Sequence, residues 1–194
     1  MDAETELRYT VSPGAGLVRP AKQCPSPNQD DRPEGAEPDL IILHGISLPP
    51  GEFGGPQIEA FFTNSLDCSA HPYFAALDGV KVSAHLLLRR DGELVQFVPF
   101  ARRAWHAGES KFRGAGCCND FSIGIELEGT DDLPYTDEQY RHLSAVIAAI
   151  SASYPRITPR RIAAHSDIAP GRKTDPGPAF DWLRLYDDLG SATE

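Results

Sequence analysis

The sequence predicts a single α/β domain in which helices flank a central mixed β-sheet. Three observations support this prediction. Short apolar runs typical of strands recur along the chain, one long segment has the periodicity of an amphipathic helix, and polar residues gather where the strand-like runs end. A length of 194 residues suits one domain of ordinary size with one core.

The beginning of the chain differs from the rest in composition. Its first 38 residues are rich in proline, aspartate, glutamate and glycine and show little periodicity, which is typical of irregular chain. We therefore expect 1–38 to form an irregular N-terminal arm packed on a single domain that spans 39–190.

The first strand of the domain is predicted at the run LIILH, residues 40–44. This run is short, apolar and rich in β-branched residues, and it is followed by Gly45 and the turn-rich stretch SLPPGEFGGP. The pattern indicates a buried strand that leads into a long loop, with His44 at the end of the strand.

A hairpin and an alternating strand are predicted next. The segment 82–100, VSAHLLLRRDGELVQFVPF, contains two strand-like runs joined at Asp91 and Gly92, a dipeptide that favours a tight turn. In FSIGIELEG, residues 121–129, apolar residues alternate with others. The apolar face is expected to join the core, and the face that carries Glu126 is expected to meet something polar.

The longest helix is predicted at 137–153. Thr136 and Gln139 form a capping-box pattern at its start, and apolar residues follow at helical spacing. Beyond this amphipathic helix, RRIAAH is predicted to be a short strand that ends at His165, and 181–189 is predicted to be a closing helix.

Composition and charge exclude several classes of function. Apolar residues make up 41% and charged residues 24% of the chain, and no apolar run approaches the roughly 18 residues of a membrane span. The net charge of -10 argues against nucleic acid as the main partner. The first twenty residues begin acidic and lack an apolar signal region. We therefore expect a cytoplasmic protein without a membrane partner, whose four cysteines are free thiols.

The motifs that are missing and the histidines that remain point to a metal site. The sequence contains no H-E-x-x-H, G-x-S-x-G or G-x-x-x-x-G-K-[ST] motif. His44 and His165 follow two predicted strands, and the loop 164–180 adds carboxylates. Two histidines and one carboxylate suit a zinc ion with a fourth position left for water.

Two aspartates compete for the third position in this ligand set. Distance along the chain does not separate Asp167 from Asp175, because a loop turned at Pro170 and Gly171 can bring either one back. Asp175 precedes a proline, which favours an extended backbone and places the side chains of Lys173 and Asp175 on one side. This tilts the choice toward Asp175 and leaves Asp167 to a local turn bond.

Each candidate also has an ordinary structural alternative. A single histidine is more often a core or surface residue than a metal ligand. His71 is expected at a helix start or on the surface, His142 in solvent, and His85 in a strand that faces either the core or the site. For Glu126 the alternative is a solvated strand carboxylate, which is also our interpretation of Glu128.

Several blocks of the sequence resemble a known family. They are HGISLPPGEFG, VSAHLLLRRDGELVQFVPF, AWHAGES, CNDFSIGIELEGTD and AHSDIAPGRKTDPGPAFDW, and they cover about 24–186 in order. Together they are similar to the cytoplasmic 1,6-anhydro-N-acetylmuramyl-L-alanine amidases of the zinc amidase and peptidoglycan-recognition superfamily. The resemblance implies the fold of that superfamily and hydrolysis of the amide between the lactyl group of anhydro-N-acetylmuramic acid and L-alanine during peptidoglycan recycling.

The resemblance also implies roles for individual residues. It places one zinc ion on His44, His165 and Asp175, and it makes Glu126 the catalytic carboxylate and Lys173 its cationic partner. The expected contacts with the anhydromuropeptide substrate are Trp105, His106, Lys81 and Arg172. The sequence departs from the family pattern at Gly45, where asparagine is expected, and at Lys81, where arginine is expected.

Two other functions compete with the amidase. A domain of this superfamily that has lost its metal or its carboxylate binds cell-wall fragments without cleaving them, but here all five implied residues are present. A zinc peptidase that cuts within the peptide would use the same metal site, so the reaction products decide between the two enzymes. We expect a monomer whose partner is the small-molecule substrate.

Overall fold

The computed structural model describes residues 7–191, and a six-stranded sheet forms its centre. The strands of this part of the chain are β1 (Thr10–Val11), β2 (Val18–Arg19), β3 (Lys22–Gln23), β4 (Gln29–Asp31), β5 (Leu40–Ile46), β6 (Leu86–Leu88), β7 (Leu94–Gln96), β8 (Arg102–Ala104), β9 (Lys111–Phe112), β10 (Ala115–Gly116), β11 (Ser122–Glu128) and β12 (Ile162–Ala164). The α-helices are α1 (Gln57–Phe62), α2 (Asp137–Ser153), α3 (His165–Ile168) and α4 (Trp182–Ser191), and short 3-10 helices cover Pro72–Leu77, Cys118–Asp120 and Pro159–Arg161.

The central sheet is mixed, which confirms the predicted fold class. Its strand order is β12-β5-β11-β6-β7-β3. The first four strands in this order run parallel, β7 is antiparallel to β6, and β3 is parallel to β7. The pair β6 and β7 is the predicted hairpin, and Gly92 in its turn has a φ of +91°, a conformation that glycine adopts without steric cost.

Strands β5 and β11 are buried on both faces over most of their length. Residues 40–43 of β5 are fully buried, and all seven residues of β11 are buried, as expected for parallel strands covered on both sides. The prediction that Glu128 is solvated is therefore wrong. Its side chain is 1% exposed, and its Oε1 accepts hydrogen bonds from Arg89 Nη1 at 3.1 Å and from Gly54 N at 2.7 Å.

Helices α2 and α4 cover one face of the sheet. The predicted capping box of α2 is present, since Thr136 Oγ1 accepts from Gln139 N at 3.1 Å and Gln139 Oε1 accepts from Thr136 N at 3.0 Å. The apolar side of α2 packs in the largest core cluster together with strand residues and with α4. Its buried members include Ile41, Leu43, Ile123, Ile125, Leu127, Leu143, Val146, Ile147, Ile150, Leu185 and Leu189.

The opposite face of the sheet carries two smaller apolar clusters. One cluster joins Phe61 and Phe62 of α1 to Val95 of β7, and the other joins Ile42 of β5 to Ile168 of α3. Because residues two apart in a strand share a face, His44 lies on the same face as Ile42. His44 therefore lies on the side of the sheet away from α2.

The arm is more ordered than its composition indicates. In its described part, residues 7–38, β3 pairs with β7 at the edge of the central sheet and β4 pairs with β8. Val18 is fully buried. Composition could not reveal these strands, because each is two or three residues long and depends on a partner strand far along the chain. The division of the chain at residue 38 stays a prediction.

Two further expectations concern the membrane and the cysteines. Within residues 7–191 the structure has no helix of the length and apolar character that crossing a membrane requires. The four cysteines are free, as predicted: Cys24, Cys68, Cys117 and Cys118.

Candidate metal centre

The sheet topology brings two histidines together. Strands β5 and β12 are parallel neighbours in which Leu43 pairs with Ala164, so the residues after this pair, His44 and His165, lie side by side. His44 does not end its strand as predicted, because β5 continues to Ile46 in its pairing with β11. The Nδ1 atoms of the two histidines are 2.9 Å apart, although the residues are 121 positions apart in the sequence. Both side chains are buried, with 2% and 3% of their residue surfaces exposed.

Asp175 joins this pair because the loop after α3 folds back. The N–H of Ser166 donates to the Asp175 carbonyl at 3.1 Å, which holds the loop beside His165. Asp175 Oδ2 then lies 3.0 Å from His165 Nδ1 and 3.3 Å from His44 Nδ1. The three side chains form a cluster able to hold a metal ion, as the sequence analysis predicted.

Asp167 takes a different place, outside this cluster. Its Oδ2 accepts a hydrogen bond from the backbone N–H of Ala164 at 2.9 Å at the start of α3, and its side chain is exposed. A local backbone bond was expected for this residue, but the partner precedes it rather than follows it. The reason is that His165 begins a short helix, in which a carboxylate at the third position reaches back to the capping residue.

Burial and hydrogen bonding set the protonation states of the cluster. Burial lowers the pKa of His44 from its ordinary 6.5 to about 4, against the opposing effect of its hydrogen bond to Asp175. Burial raises the pKa of Asp175, but hydrogen bonds to His165 and His44 outweigh it and hold that pKa well below its usual range. A neutral imidazole and an ionised carboxylate are the forms that bind metals.

The remaining ring nitrogens of the two histidines contact other protein groups. His165 Nε2 lies 3.3 Å from the carbonyl oxygen of Ala107, to which it donates when its Nδ1 is unprotonated. His44 Nε2 lies 3.0 Å from Nδ1 of His106. Hydrogen bonds of this kind orient metal-binding imidazoles and leave the opposite nitrogen free for the ion.

Glu126 stands beside the cluster and carries an unpaired oxygen. In the parallel pairing of β11 with β5 it is the direct partner of His44, so both side chains project from the same face. Glu126 is 9% exposed, and among the described residues its Oε2 has no hydrogen-bond partner. Burial, and secondarily the charge of Asp175, raises its pKa well above the ordinary value, while Lys173 opposes this shift.

A cavity of about 580 Å³ opens over Glu126, His165 and Asp175. Its lining contains both apolar and polar residues. The apolar residues include Leu48, Phe61, Phe62, Leu77, Val80 and Val82. The polar residues include Thr130, Asp131 and Lys173 in addition to the three residues just named. A mixed lining of this kind suits a ligand with both apolar and charged parts.

The predicted substrate contacts fall into two groups. Trp105 and His106 line the cavity and are partly buried. Lys81 and Arg172 are not among the described residues that line it, although Val80 and Val82 on either side of Lys81 are. The Arg172 guanidinium instead donates to the carbonyls of Ala107 at 2.7 Å and Glu109 at 2.5 Å.

Lys173 lines the same cavity as Asp175. The backbone forms turns at 170–172 and 175–176 rather than a strand, so the extended stretch that was expected is absent. It is exposed, and its positive charge acts on the pKa of both His44 and Glu126. The site thus contains a cation on the open side of the cluster.

Gly45, the first departure from the family pattern, lies against the site. A Cβ atom at this position would lie 2.6 Å from the hydroxyl oxygen of Tyr135, which itself donates to the Pro176 carbonyl at 3.0 Å. A larger residue would therefore require Tyr135 to move. The glycine allows the tyrosine to pack tightly behind Asp175.

The structure also shows the surroundings of the other three histidines of the chain. His85 is fully buried, and its Nδ1 accepts from Gly124 N at 3.0 Å. His71 caps the 3-10 helix Pro72–Leu77 through its Nδ1, which confirms the predicted helix start. The prediction that His142 is solvated is wrong, because the Tyr9 hydroxyl from the arm bonds its Nδ1 at 2.5 Å and leaves 15% of its side chain exposed.

Sequence reasoning assigned no role to several residues of the cavity, among them Tyr73 and Asp131. Tyr73 lies outside the blocks that resemble the family. Asp131 ends one of those blocks, two residues after the predicted strand 121–129, but nothing in the local pattern indicated chemistry. Only the folding of their loops over the sheet brings them to the site.

The chain is similar to known proteins over most of its length. The sequence pattern of the family described as N-acetylmuramoyl-L-alanine amidase matches residues 34–178. A relative from Escherichia coli (strain K12), the 1,6-anhydro-N-acetylmuramyl-L-alanine amidase AmpD, is 60% identical over 170 residues, which are 88% of this chain and 92% of the relative.

Solved structures show the same similarity. The crystal structure of a Se-Met AmpD derivative matches with a TM-score of 0.88 and 56% identity, covering 90% of this chain and 97% of that chain. The complex of the amidase AmiD from E. coli with the substrate anhydro-N-acetylmuramic acid-L-Ala-D-gamma-Glu-L-Lys matches with a TM-score of 0.58 and 31% identity. That match covers 81% of this chain and 60% of that one.

Proposed function

Because the chain belongs to the N-acetylmuramoyl-L-alanine amidase family, we propose that it cleaves anhydromuropeptides during cytoplasmic peptidoglycan recycling. The scissile bond is the amide between the lactyl group of anhydro-N-acetylmuramic acid and L-alanine. The observation that carries this proposal is the convergence of His44, His165 and Asp175 beside the unpaired carboxylate oxygen of Glu126. The complex of AmiD with an anhydromuropeptide supports the substrate class.

The metal that we propose is one zinc ion per chain. Two imidazole nitrogens and one carboxylate oxygen are a donor set that zinc accepts in catalytic sites. Ligand atoms at 2.0–2.1 Å from a tetrahedral centre lie about 3.3 Å apart, and the separations here are 2.9, 3.0 and 3.3 Å. The donor set and its spacing thus fit zinc. When bound, zinc would lower the pKa of a water ligand to about 7 and polarise the amide carbonyl.

Glu126 is the proposed general base and general acid. It accepts a proton from the attacking water and returns that proton to the departing nitrogen of L-alanine, so the carboxylate ends the cycle as it began. Burial raises its pKa, which strengthens it as a base and lets it hold the proton until the C–N bond breaks. Its location on a buried central strand keeps it in place.

Lys173 and the cavity walls complete the proposed site. The ammonium group of Lys173 stabilises the negative charge that develops on the carbonyl oxygen. Trp105 offers a flat surface for the sugar ring, and His106 lines the same cavity. Lys81 and Arg172 remain predictions as contacts for the peptide carboxylates. We further propose that the enzyme acts as a monomer, with 39–190 as its amidase domain.

One experiment distinguishes the amidase from a peptidase and from a binding module, because each is expected to give a different result. Purified protein is loaded with zinc and incubated with an anhydromuropeptide, and the products are separated by chromatography and identified by mass. We expect anhydro-N-acetylmuramic acid and an intact peptide that begins with L-alanine. Cleavage within the peptide would identify a peptidase, and binding without any product would identify a binding module. Either result would reject the amidase.

A further inference from the structure

His106 makes more specific contacts than a residue that only lines the cavity. Its Nδ1 lies 3.0 Å from His44 Nε2, and the two rings meet edge to face with centroids 5.1 Å apart. Its other nitrogen, Nε2, lies 3.2 Å from Ser122 Oγ. Both ring nitrogens of His106 therefore have protein partners, and one of these partners is His44 of the candidate metal site.

The direction of these hydrogen bonds follows from the far end of the chain of contacts. The Ser122 hydroxyl donates to the Cys118 carbonyl oxygen at 2.6 Å, so its single hydrogen is already used. Ser122 Oγ therefore accepts from the Nε2–H of His106, and a neutral His106 has an unprotonated Nδ1. That nitrogen accepts the Nε2–H of His44, which leaves the lone pair on Nδ1 of His44 directed at the metal position.

The backbone around His106 holds its ring in this place. Asn119 Oδ1 accepts from the backbone N–H groups of His106 at 3.2 Å and Ala107 at 2.8 Å. Below the ring lies Gly124, where an added Cβ would be 2.5 Å from Cγ and Nδ1 of His106. Ser122 is fully buried in β11, the strand that also carries Glu126. The ring thus sits on a rigid strand that has no side chain at the point of contact.

We propose that His106 is a positioning residue that acts through His44. Together with Ser122 and the Cys118 carbonyl it fixes His44 as the Nε2–H tautomer and fixes the plane of its ring. This role rests on the metal site of the proposed function, and it does not require His106 to touch substrate. His165 receives the equivalent support from the Ala107 carbonyl, so the two imidazoles are oriented by different kinds of acceptor.

Two substitutions of matched shape test this role. His106→Leu removes both ring nitrogens, and His106→Asn has the same branching but offers an amide oxygen close to the former Nδ1. Zinc affinity is measured by competition with a chromophoric chelator, after circular dichroism has shown that each variant is folded. We expect His106→Leu to bind zinc about 10- to 100-fold more weakly than the unchanged protein, and His106→Asn to recover most of that loss.

A second measurement uses the unchanged protein and so does not depend on how the variants fold. Nitrogen-15 NMR of the histidine rings in the zinc-loaded protein, where no proton is shared between Asp175 and the Nδ1 atoms of His44 and His165, reports which ring nitrogens carry protons. We expect His44 as the Nε2–H tautomer and His106 with an unprotonated Nδ1.

The outcomes are clear-cut. A proton on Nδ1 of His106, zinc affinity unchanged in His106→Leu, or equal losses in the Leu and Asn variants would each overturn the role. Failure of the proposed function gives a different pattern. In that case the zinc affinities and tautomers follow our expectation, but the unchanged protein releases no peptide from anhydromuropeptides.

Discussion

Glu126 is the direct neighbour of His44 across the parallel pairing of β11 with β5. Both residues lie on the face of the sheet away from α2, and both are buried. Since two central strands hold them, their separation does not depend on loop movements. A carboxylate and a histidine of the candidate metal site are thus placed together by the sheet itself, which suits the separate roles we propose for them.

The first prediction separates these two roles. Glu126→Gln keeps the shape of the side chain but cannot accept a proton, so we expect turnover to fall by at least about 100-fold. Zinc content should stay at one ion per chain, because Glu126 is outside the metal cluster. Peptide release by chromatography and zinc by atomic absorption check this. Turnover within tenfold of the unchanged enzyme would contradict the proposed base.

The second prediction concerns the two aspartates. Asp175→Ala removes the carboxylate that contacts both histidines, and we expect zinc affinity to fall by at least about 100-fold. Asp167→Ala is the matched control. It should keep its zinc affinity and lose about 1 kcal/mol of unfolding free energy, because the N–H of Ala164 loses its partner. Chelator competition and urea unfolding measure the two effects, and the reverse pattern would refute the ligand assignment.

The third prediction concerns the stability of the metal-free protein in acid. The pKa of His44 is 6.5 in the unfolded chain and about 4 in the folded one. Below pH 6.5 the unfolded chain therefore binds a proton that the folded protein does not bind until the pH nears 4. Stability falls across this window, by about 2 kcal/mol between roughly pH 7.5 and pH 5 from His44 alone.

Other groups add to this change, oppose it, or act in another pH range. The raised pKa of Glu126 opposes it, because as the pH falls the folded protein binds a proton there before the unfolded chain does. Burial also lowers the pKa values of His85 and His106, so they add to the loss. The pKa of Asp175 is lowered from 3.8, so its contribution is lost only at more acidic pH. Urea unfolding of the metal-free protein measures the change, and His44→Leu should lose less stability over the same interval. A loss in His44→Leu equal to that in the unchanged protein would disprove this account.

The fourth prediction tests whether the arm is part of the folded unit. The Arg32 guanidinium donates to four backbone carbonyls around the start of β11, those of Phe100, Asn119, Asp120 and Ser122. Arg32→Met removes these donors, and we expect a loss of about 2–4 kcal/mol in unfolding free energy. Arg19→Met, at an exposed position of the same arm, should change stability by less than about 0.5 kcal/mol. Similar values for both variants would argue against a structural role of the arm.

Local sequence patterns were enough to predict the main elements. The capping box at Thr136, the apolar spacing of 137–153 and the turn at Asp91 and Gly92 each depend on residues close together in the chain, and each is present in the structure. The strand that contains His44 was predicted for the same reason, although it ends at Ile46 rather than at His44. Family resemblance added the ligand set, which spacing alone had left open between two aspartates.

Other features could not be predicted because their partners are distant in sequence. Glu128 is buried because Arg89 and Gly54 meet it there, and His142 is covered because Tyr9 of the arm reaches it. The sequence around Glu128 and His142 does not indicate these distant partners. Their charge and position therefore suggested that both side chains are exposed to solvent, and that interpretation was wrong in both cases.

The sequence by itself determined the fold class, the order of the main elements and the residues able to bind a metal. Only the tertiary structure shows how the loop brings Asp175 to His44 and His165, that Asp167 accepts from the N–H of Ala164 at the start of α3, and that His106 contacts His44. The physical reason is that periodicity and capping depend on residues close together in the chain, whereas a metal site and its hydrogen bonds require several distant parts of the chain to meet. That meeting occurs only when β5, β11 and β12 have paired.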